Sequence, residues 1–355
     1  SAVDLTNLYY NGNQVESITD SGSDALYTGA QDFKNRSTSS DEYDYDQNGN
    51  MTKDLNKDVV TMSWNSLNLP DTIQLKGGHM ESFIYDATGQ KEQVTRVTVT
   101  TSNVTIPIGR TFNNAGISVT KTSAIRRYAS NVVYSDNRIS EILLPDGILK
   151  RTNAITSNPP VFSYNYYIKD HLGNVRTVID GSGTIKQVNN YYPFGMEYGE
   201  SAENQTMMTY QDYQYGGKEF DRKFEINLYD FHARPYDATR AQWTSPDPLA
   251  EKYYSISPYA YCGNNPIKYL DPDGKIFGLP ENISEKIEKI IEPIMIMSTA
   301  SVISKTQGIN NISNDLIGKP LISITTSTNK AIKSNTILET PMGDKVERIT
   351  SNTTT

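Results

Sequence analysis

The chain is poor in the residues that many enzymes place at their reactive centres. Its 355 residues include one cysteine, Cys262, and three histidines, His79, His171 and His232, scattered over separate segments. One cysteine can build neither an intrachain disulfide framework nor a thiolate zinc cluster. No histidine lies close to it in sequence, so a small buried thiol is expected at Cys262 and not a nucleophile. A GxGxxG loop and a P-loop lysine are both missing, which removes the common phosphate cradles. Long apolar runs are absent too: the stretch around 287–297 is too short and too charged to cross a bilayer. Basic surplus is lacking as well. Lys and Arg total 33 against 41 Asp and Glu, for a net charge of −8, which argues against nucleic-acid binding through the scaffold. The opening residues SAVDLTNLYYNG carry neither the basic start nor the apolar run of a secretory leader. They begin in mid-pattern, so the chain reads as part of a longer polypeptide.

Tyrosine is what the chain has in quantity: 24, against nine Phe and two Trp, in a composition only 36% hydrophobic. A large ring with a polar tip suits half-wet sheet faces better than a dry helical core. Before residue 274 helical periodicity is nearly absent. Short β-branched runs, such as VTRVTVTT over Val94–Thr101, alternate with Gly, Asn and Asp. Tyr45-Asp46, Trp64-Asn65 and Tyr85-Asp86 recur at intervals of 19 and 21 residues. Each places an aromatic at a strand end and an Asp or Asn to hydrogen-bond into the turn. Asn48-Gly49 is the strongest hairpin signal, and two strands are expected to flank Asp180-Gly181. Such hairpins cannot bury a face alone, so they must stack into a curved or spiral sheet.

After Gly274 the composition changes. The 81 residues from Lys275 to Thr355 hold no His, Cys, Tyr or Trp, and Phe277 is their single aromatic. Ile283, Ile287, Ile290, Ile291 and Ile294 share one helical face with Asn282 as N-cap, and Pro293 should end or kink the helix. Beyond about residue 323 the chain is rich in Thr, Ser and Asn, which predicts weak order.

The motifs YDQNGNMTKD, FIYDATGQKEQV, YYIKDHLGNVRTVID, YYPFGMEYG and the long run from Tyr229 to Gly274, YDFHARPYDATRAQWTSPDPLAEKYYSISPYAYCGNNPIKYLDPDG, resemble the C-terminal part of an Rhs/YD-repeat protein over residues 40 to 274. The last run is similar to the Rhs-associated core domain of polymorphic toxins. The resemblance implies an all-β chain in which YD-repeat hairpins over 1–160 form part of a spiral shell. A core domain over 161–274 closes it, and a variable, mainly helical or disordered tail over 275–355 follows. It also implies that the tail is cargo, that an upstream shell-forming part of the parent chain completes the enclosure, and that an immunity protein guards the producer. A secreted or cell-surface bacterial destination goes with these, in competition between bacteria.

In several members of the family the chain is cut once, in cis, behind the second Asp-Pro turn. The residues that match the processing apparatus are Arg234, thirteen positions ahead of Asp247, together with Asp247 and Asp271. Two carboxylates that share a proton split their titration into an acid and a base. A nearby guanidinium can steady an oxyanion. The chain departs from the family at Ala250, Ala241 and Gln242, and Lys275 stands where Leu is usual. The plainer reading is that Asp247 and Asp271 only cap Asp-Pro turns.

Other classes remain in view. Tyrosine-rich strands can bind carbohydrate on exposed rings, which would make this a non-catalytic surface protein. Asp44–Gly49 fits the opening of a calcium loop, but Leu55 stands where a bidentate Glu belongs, so a hairpin turn is expected there. No cofactor or metal is expected. The tail lacks the His and Cys of most hydrolytic toxins, and its isoleucine face leaves contact with a membrane open.

Overall fold

The computed structural model describes residues 6–21, 31–37, 39–101, 103–198 and 210–278, with two short strands at 338–339 and 345–346. The chain divides into two compact units, Ser1–Ser284 and Glu285–Thr355. The described part is nearly all antiparallel β, as the sequence predicts. The isoleucine-faced helix expected around 283–297 lies outside the described residues. Of the second unit the structure describes only β20 (Leu338–Glu339) paired with β21 (Lys345–Val346).

The first unit opens with a hairpin of β1 (Thr6–Asn11) and β2 (Gln14–Asp20). A thirteen-stranded meander follows, in which every strand pairs with its neighbours in sequence. Its strands are β3 (Tyr43–Tyr45), β4 (Met51–Asp54), β5 (Val59–Trp64), β6 (Pro70–Leu75), β7 (Met80–Tyr85), β8 (Lys91–Val99) and β9 (Lys121–Ala129). Then come β10 (Val132–Ser135), β11 (Arg138–Leu144), β12 (Gly147–Arg151), β13 (Phe162–Lys169), β14 (Val175–Asp180) and β15 (Ile185–Val188). The sheet passes across residues 160 and 161 through the β12–β13 pair. A small four-stranded sheet completes the unit: β16 (Glu219–Asp221), β17 (Leu228–Asp230), β18 (Pro235–Asp237) and β19 (Gln242–Trp243).

One local device repeats along the wall. Asp46 Oδ1 accepts the amides of Asn48 and Asn50, while Gly49 N–H returns to the Asp46 carbonyl. Asn65, Asp86, Asp170 and Asp180 do the same at their own turns. The residue three positions on adopts positive φ, Gly49 at 83° and Asn68 at 56° in the two clearest cases. Asn48 is not among the positive-φ residues, so this is not the two-residue turn that an Asn-Gly pair most favours. It is a longer turn closed by the aspartate, with one unpaired residue just beyond it. Pairing steps from Tyr45↔Met51 to Asp44↔Lys53, from Trp64↔Pro70 to Ser63↔Thr72 and from Tyr85↔Lys91 to Ile84↔Gln93. The β13–β14 and β14–β15 hairpins slip in the same way. Bulges increase right-handed twist, so the ~20-residue repeat read from sequence is a repeated instruction to bend.

Residues 189–278 carry an aromatic core of Tyr191, Tyr215, Phe220, Tyr229, Phe231, Tyr236, Trp243 and Tyr261, all buried. Tyrosine is needed here and phenylalanine would not do. The hydroxyls of Tyr215, Tyr236 and Tyr229 donate to the successive carbonyls of Pro193, Phe194 and Gly195 at 2.9, 2.7 and 3.1 Å. The buried Gly195 carbonyl would be a costly acceptor if unpaired. The repeat tyrosines Tyr45 and Tyr85 are half-buried, and Tyr45 packs edge-on against Tyr259 at 5.9 Å. The histidines take up separate structural places. His79 stacks on Phe224, His171 lies 3.4 Å from the Ile267 carbonyl, and the His232 amide caps onto Asp230. Cys262 is fully buried, and burial pushes its thiol upward.

The aromatic module is joined to the wall by charge. Lys91 pairs with Glu219 at 2.7 Å and Asp230 at 2.6 Å, Arg96 with Glu81 and Asp221, and Arg126 with Glu141, Asp212 and Glu219. Lys57 reaches Asp237 at 2.8 Å, and Tyr128 donates to Glu219 at 2.7 Å. The bulge at Glu92 brings Lys91 onto the same side of β8 as Val94 and Arg96. Burial alone would raise the Glu219 carboxyl, but the Lys91 and Arg126 charges outweigh it and lower the pKa from 4.5 to about 2.

A carboxylate depressed on folding stabilises above its unfolded value and loses that contribution as pH falls through the folded one. Glu219→Gln should therefore cost ~2–3 kcal/mol at neutral pH. The gap between parent and variant in thermal melting should close as the pH is lowered from about 4.5 towards 2. A gap that does not change with pH would show that Glu219 acts by packing alone.

Candidate functional site

The three residues singled out from sequence come together. Arg234 lies just before β18, Asp247 just after β19, and Asp271 opens the last turn of the module. Arg234 is 1% exposed although arginine is rarely buried, so its five donors need partners. The guanidinium lies 4.1 Å over the Trp243 ring, a cation–π contact strengthened by loss of water. Nη1 donates to the Pro258 carbonyl at 3.1 Å. Nη2 donates to Asp247 Oδ2 at 3.0 Å and lies 3.5 Å from Asp271 Oδ2. Nε donates to the Gly274 carbonyl at 2.5 Å. The aspartates were expected to share a proton; in the structure they share one guanidinium nitrogen.

Asp271 repeats the turn chemistry of the wall. Its Oδ1 accepts the amides of Asp273 at 3.3 Å, Gly274 at 2.7 Å and Lys275 at 3.2 Å. Gly274 has φ of 74°, and a Cβ there would stand 3.1 Å from the backbone nitrogen of Arg234 and 3.2 Å from the Phe231 carbonyl oxygen. Only glycine fits without displacement. The peptide bond from Gly274 to Lys275 is thus gripped at both ends, its oxygen by Arg234 and its nitrogen by Asp271. Asp247 binds the Leu249 amide through Oδ1 at 2.7 Å, which leaves Oδ2 for Arg234.

The electrostatics are those of a buried ion cluster. Burial raises the Asp271 carboxyl above the ordinary carboxylate range, although Arg234 and the turn amides pull it down. Burial likewise lowers the Arg234 guanidinium, against the charges of Asp247 and Asp271. Among the described residues no group of three or more His, Cys, Asp or Glu is placed to hold a metal ion.

No family model matches the chain. Over 243 residues, 63% of its length, it is 26% identical to toxin subunit YenC1 of Yersinia entomophaga. Over 116 residues, 32% of its length, it is 37% identical to salivary gland surface protein 1 of Aedes aegypti. The chain spans 23% of the first relative and 3% of the second. A crystal structure of TcdB2-TccC3-Cdc42 has the same fold, with a TM-score of 0.52 over 76% of this chain and 13% of that one at 19% identity. These likenesses are consistent with the Rhs/YD-repeat resemblance that the motifs carry.

Sequence reasoning found the three charged residues and missed what positions them. Trp243 and Pro258 stood inside the long Tyr229–Gly274 run with no part assigned to either. Gly274 was visible as part of the second Asp-Pro turn, but its carbonyl's contact with Arg234 spans 40 residues. Arg234→Met keeps much of the stem over Trp243 but strands two carboxylates. It should cost ~3–5 kcal/mol, read by urea denaturation beside the parent; a loss below about 1 kcal/mol would assign the cluster to the solvated surface.

Proposed function

We propose that this chain is the closing end of an Rhs-type toxin shell and that its Arg234 site cuts the Gly274–Lys275 bond once, in cis. The observation that carries the reading is that one buried guanidinium touches both aspartates and the Gly274 carbonyl. Water adds to the Gly274 carbonyl carbon and passes a proton to the Asp247 carboxylate. Charge builds on the Gly274 oxygen, where the Arg234 Nε–H already points. The Gly274–Lys275 carbon–nitrogen bond then breaks as Asp271, its carboxyl raised by burial, gives its proton to the departing Lys275 nitrogen. The proton gained by Asp247 replaces the one given up by Asp271, so the pair ends the reaction with the number of protons it began with.

On this reading the segment from Lys275 onward is cargo, released inside the shell that the upstream part of the parent chain completes. Support for a toxin shell comes from the likeness to toxin subunit YenC1 and from the shared fold. Secretion, use against competing bacteria and an immunity protein for the producer follow from the family and belong to the same proposal. A second reading, a non-catalytic surface protein, is favoured by the likeness to salivary gland surface protein 1. There Arg234 merely ties two Asp-Pro turns together.

Electrophoresis of the purified chain beside Asp247→Asn and Asp271→Asn separates the two. Fragments of 274 and 81 residues, joined in the sequence at Gly274–Lys275, should form from the parent and from neither variant, with mass spectrometry locating the new ends. A parent that stays whole supports the surface protein; a cut at another bond removes the assignment of Gly274.

A further inference from the structure

Hydrolysis of a buried peptide bond needs a water at a fixed place, and that place needs polar groups with hydrogen bonds to spare. Two such groups sit in the five-residue stretch from Trp243 to Asp247. Ser245 and Trp243 are each 1% exposed, and neither Ser245 Oγ nor Trp243 Nε1 has a partner among the described residues. Each buried orphan costs about 1–3 kcal/mol, and two so close in sequence call for an explanation. Both ends of the stretch touch Arg234: Trp243 carries the guanidinium on its ring, and Asp247 accepts from Nη2. The backbone between them is fixed. Trp243 N–H donates to the Tyr259 carbonyl at 3.0 Å, and Thr244 places both its N–H and its hydroxyl on the Pro235 carbonyl at 3.1 Å.

We infer that Ser245 Oγ and Trp243 Nε1 are water-positioning groups and hold the nucleophile of the cleavage proposed above, on which the inference rests. An indole N–H can only donate, so it fixes the water oxygen through one lone pair; a hydroxyl can also accept, so Ser245 Oγ takes the water hydrogen that Asp247 does not. With the Asp247 carboxylate as proton acceptor the water has the three partners typical of buried sites. Its free lone pair is then available to the Gly274 carbon.

The test follows the full chain in cell-free translation, timing conversion to the two fragments. Trp243→Phe keeps an aromatic face for Arg234 and removes the N–H; Ser245→Ala removes the hydroxyl; Ser245→Thr retains it. The first two should each slow cleavage about ten-fold or more, and Thr should restore most of the rate. Thermal melting in an uncut Asp271→Asn background should show Trp243→Phe still unfolding in one cooperative transition, so that this variant carries the test alone if Ser245→Ala fails to fold. Parent-like rates for Ser245→Ala and Trp243→Phe, with Asp271→Asn still blocking the cut, would overturn the inference and leave the proposed reaction standing. A parent that never cleaves removes both.

Discussion

An aspartate oxygen accepting backbone amides two and four residues ahead is the interaction on which this structure depends. At Asp46, Asp86, Asp170 and Asp180 it closes hairpins of the wall, and at Asn65 an amide oxygen takes its place. The turn ends in a bulge, the bulge adds twist, and repetition bends the sheet. Asp271 uses the same bonds at the last turn of the module. There the second oxygen faces a buried arginine, and a structural turn acquires the makings of chemistry.

Charge and aromatic packing divide the remaining work. Glu219, Asp221, Asp230 and Asp237 of the small sheet meet Lys91, Arg96, Arg126 and Lys57 of the wall. Buried ion pairs contribute little net stability over apolar contacts but make mispairing costly, so this seam specifies register more than it strengthens the fold. Beneath it, tyrosine rings supply apolar area while their hydroxyls satisfy one run of carbonyls at 193–195. A carbohydrate platform would need those rings open to solvent; the rings of the aromatic core are closed in.

The hairpin signals were legible because turn chemistry is local. An Asp or Asn side chain bonds amides within four residues, and positive φ restricts the choice to Gly or Asn; both leave marks in sequence. The Asn48-Gly49 pair marked a hairpin correctly while its turn type depended on Asp46, two residues earlier. Arg234, Asp247 and Asp271 were legible only through family spacing, since nothing in composition separates a catalytic aspartate from a turn cap.

By itself, then, the sequence determined an antiparallel, tyrosine-rich hairpin array and a change of composition after Gly274, because turns, alternation and composition act over a few residues. Tertiary structure alone decided that Arg234 reaches Asp247, Asp271 and the Gly274 carbonyl together, and that Trp243 lies under its guanidinium. Those contacts join residues up to 40 apart, and they exist only once burial has removed the water that would otherwise satisfy each charge separately.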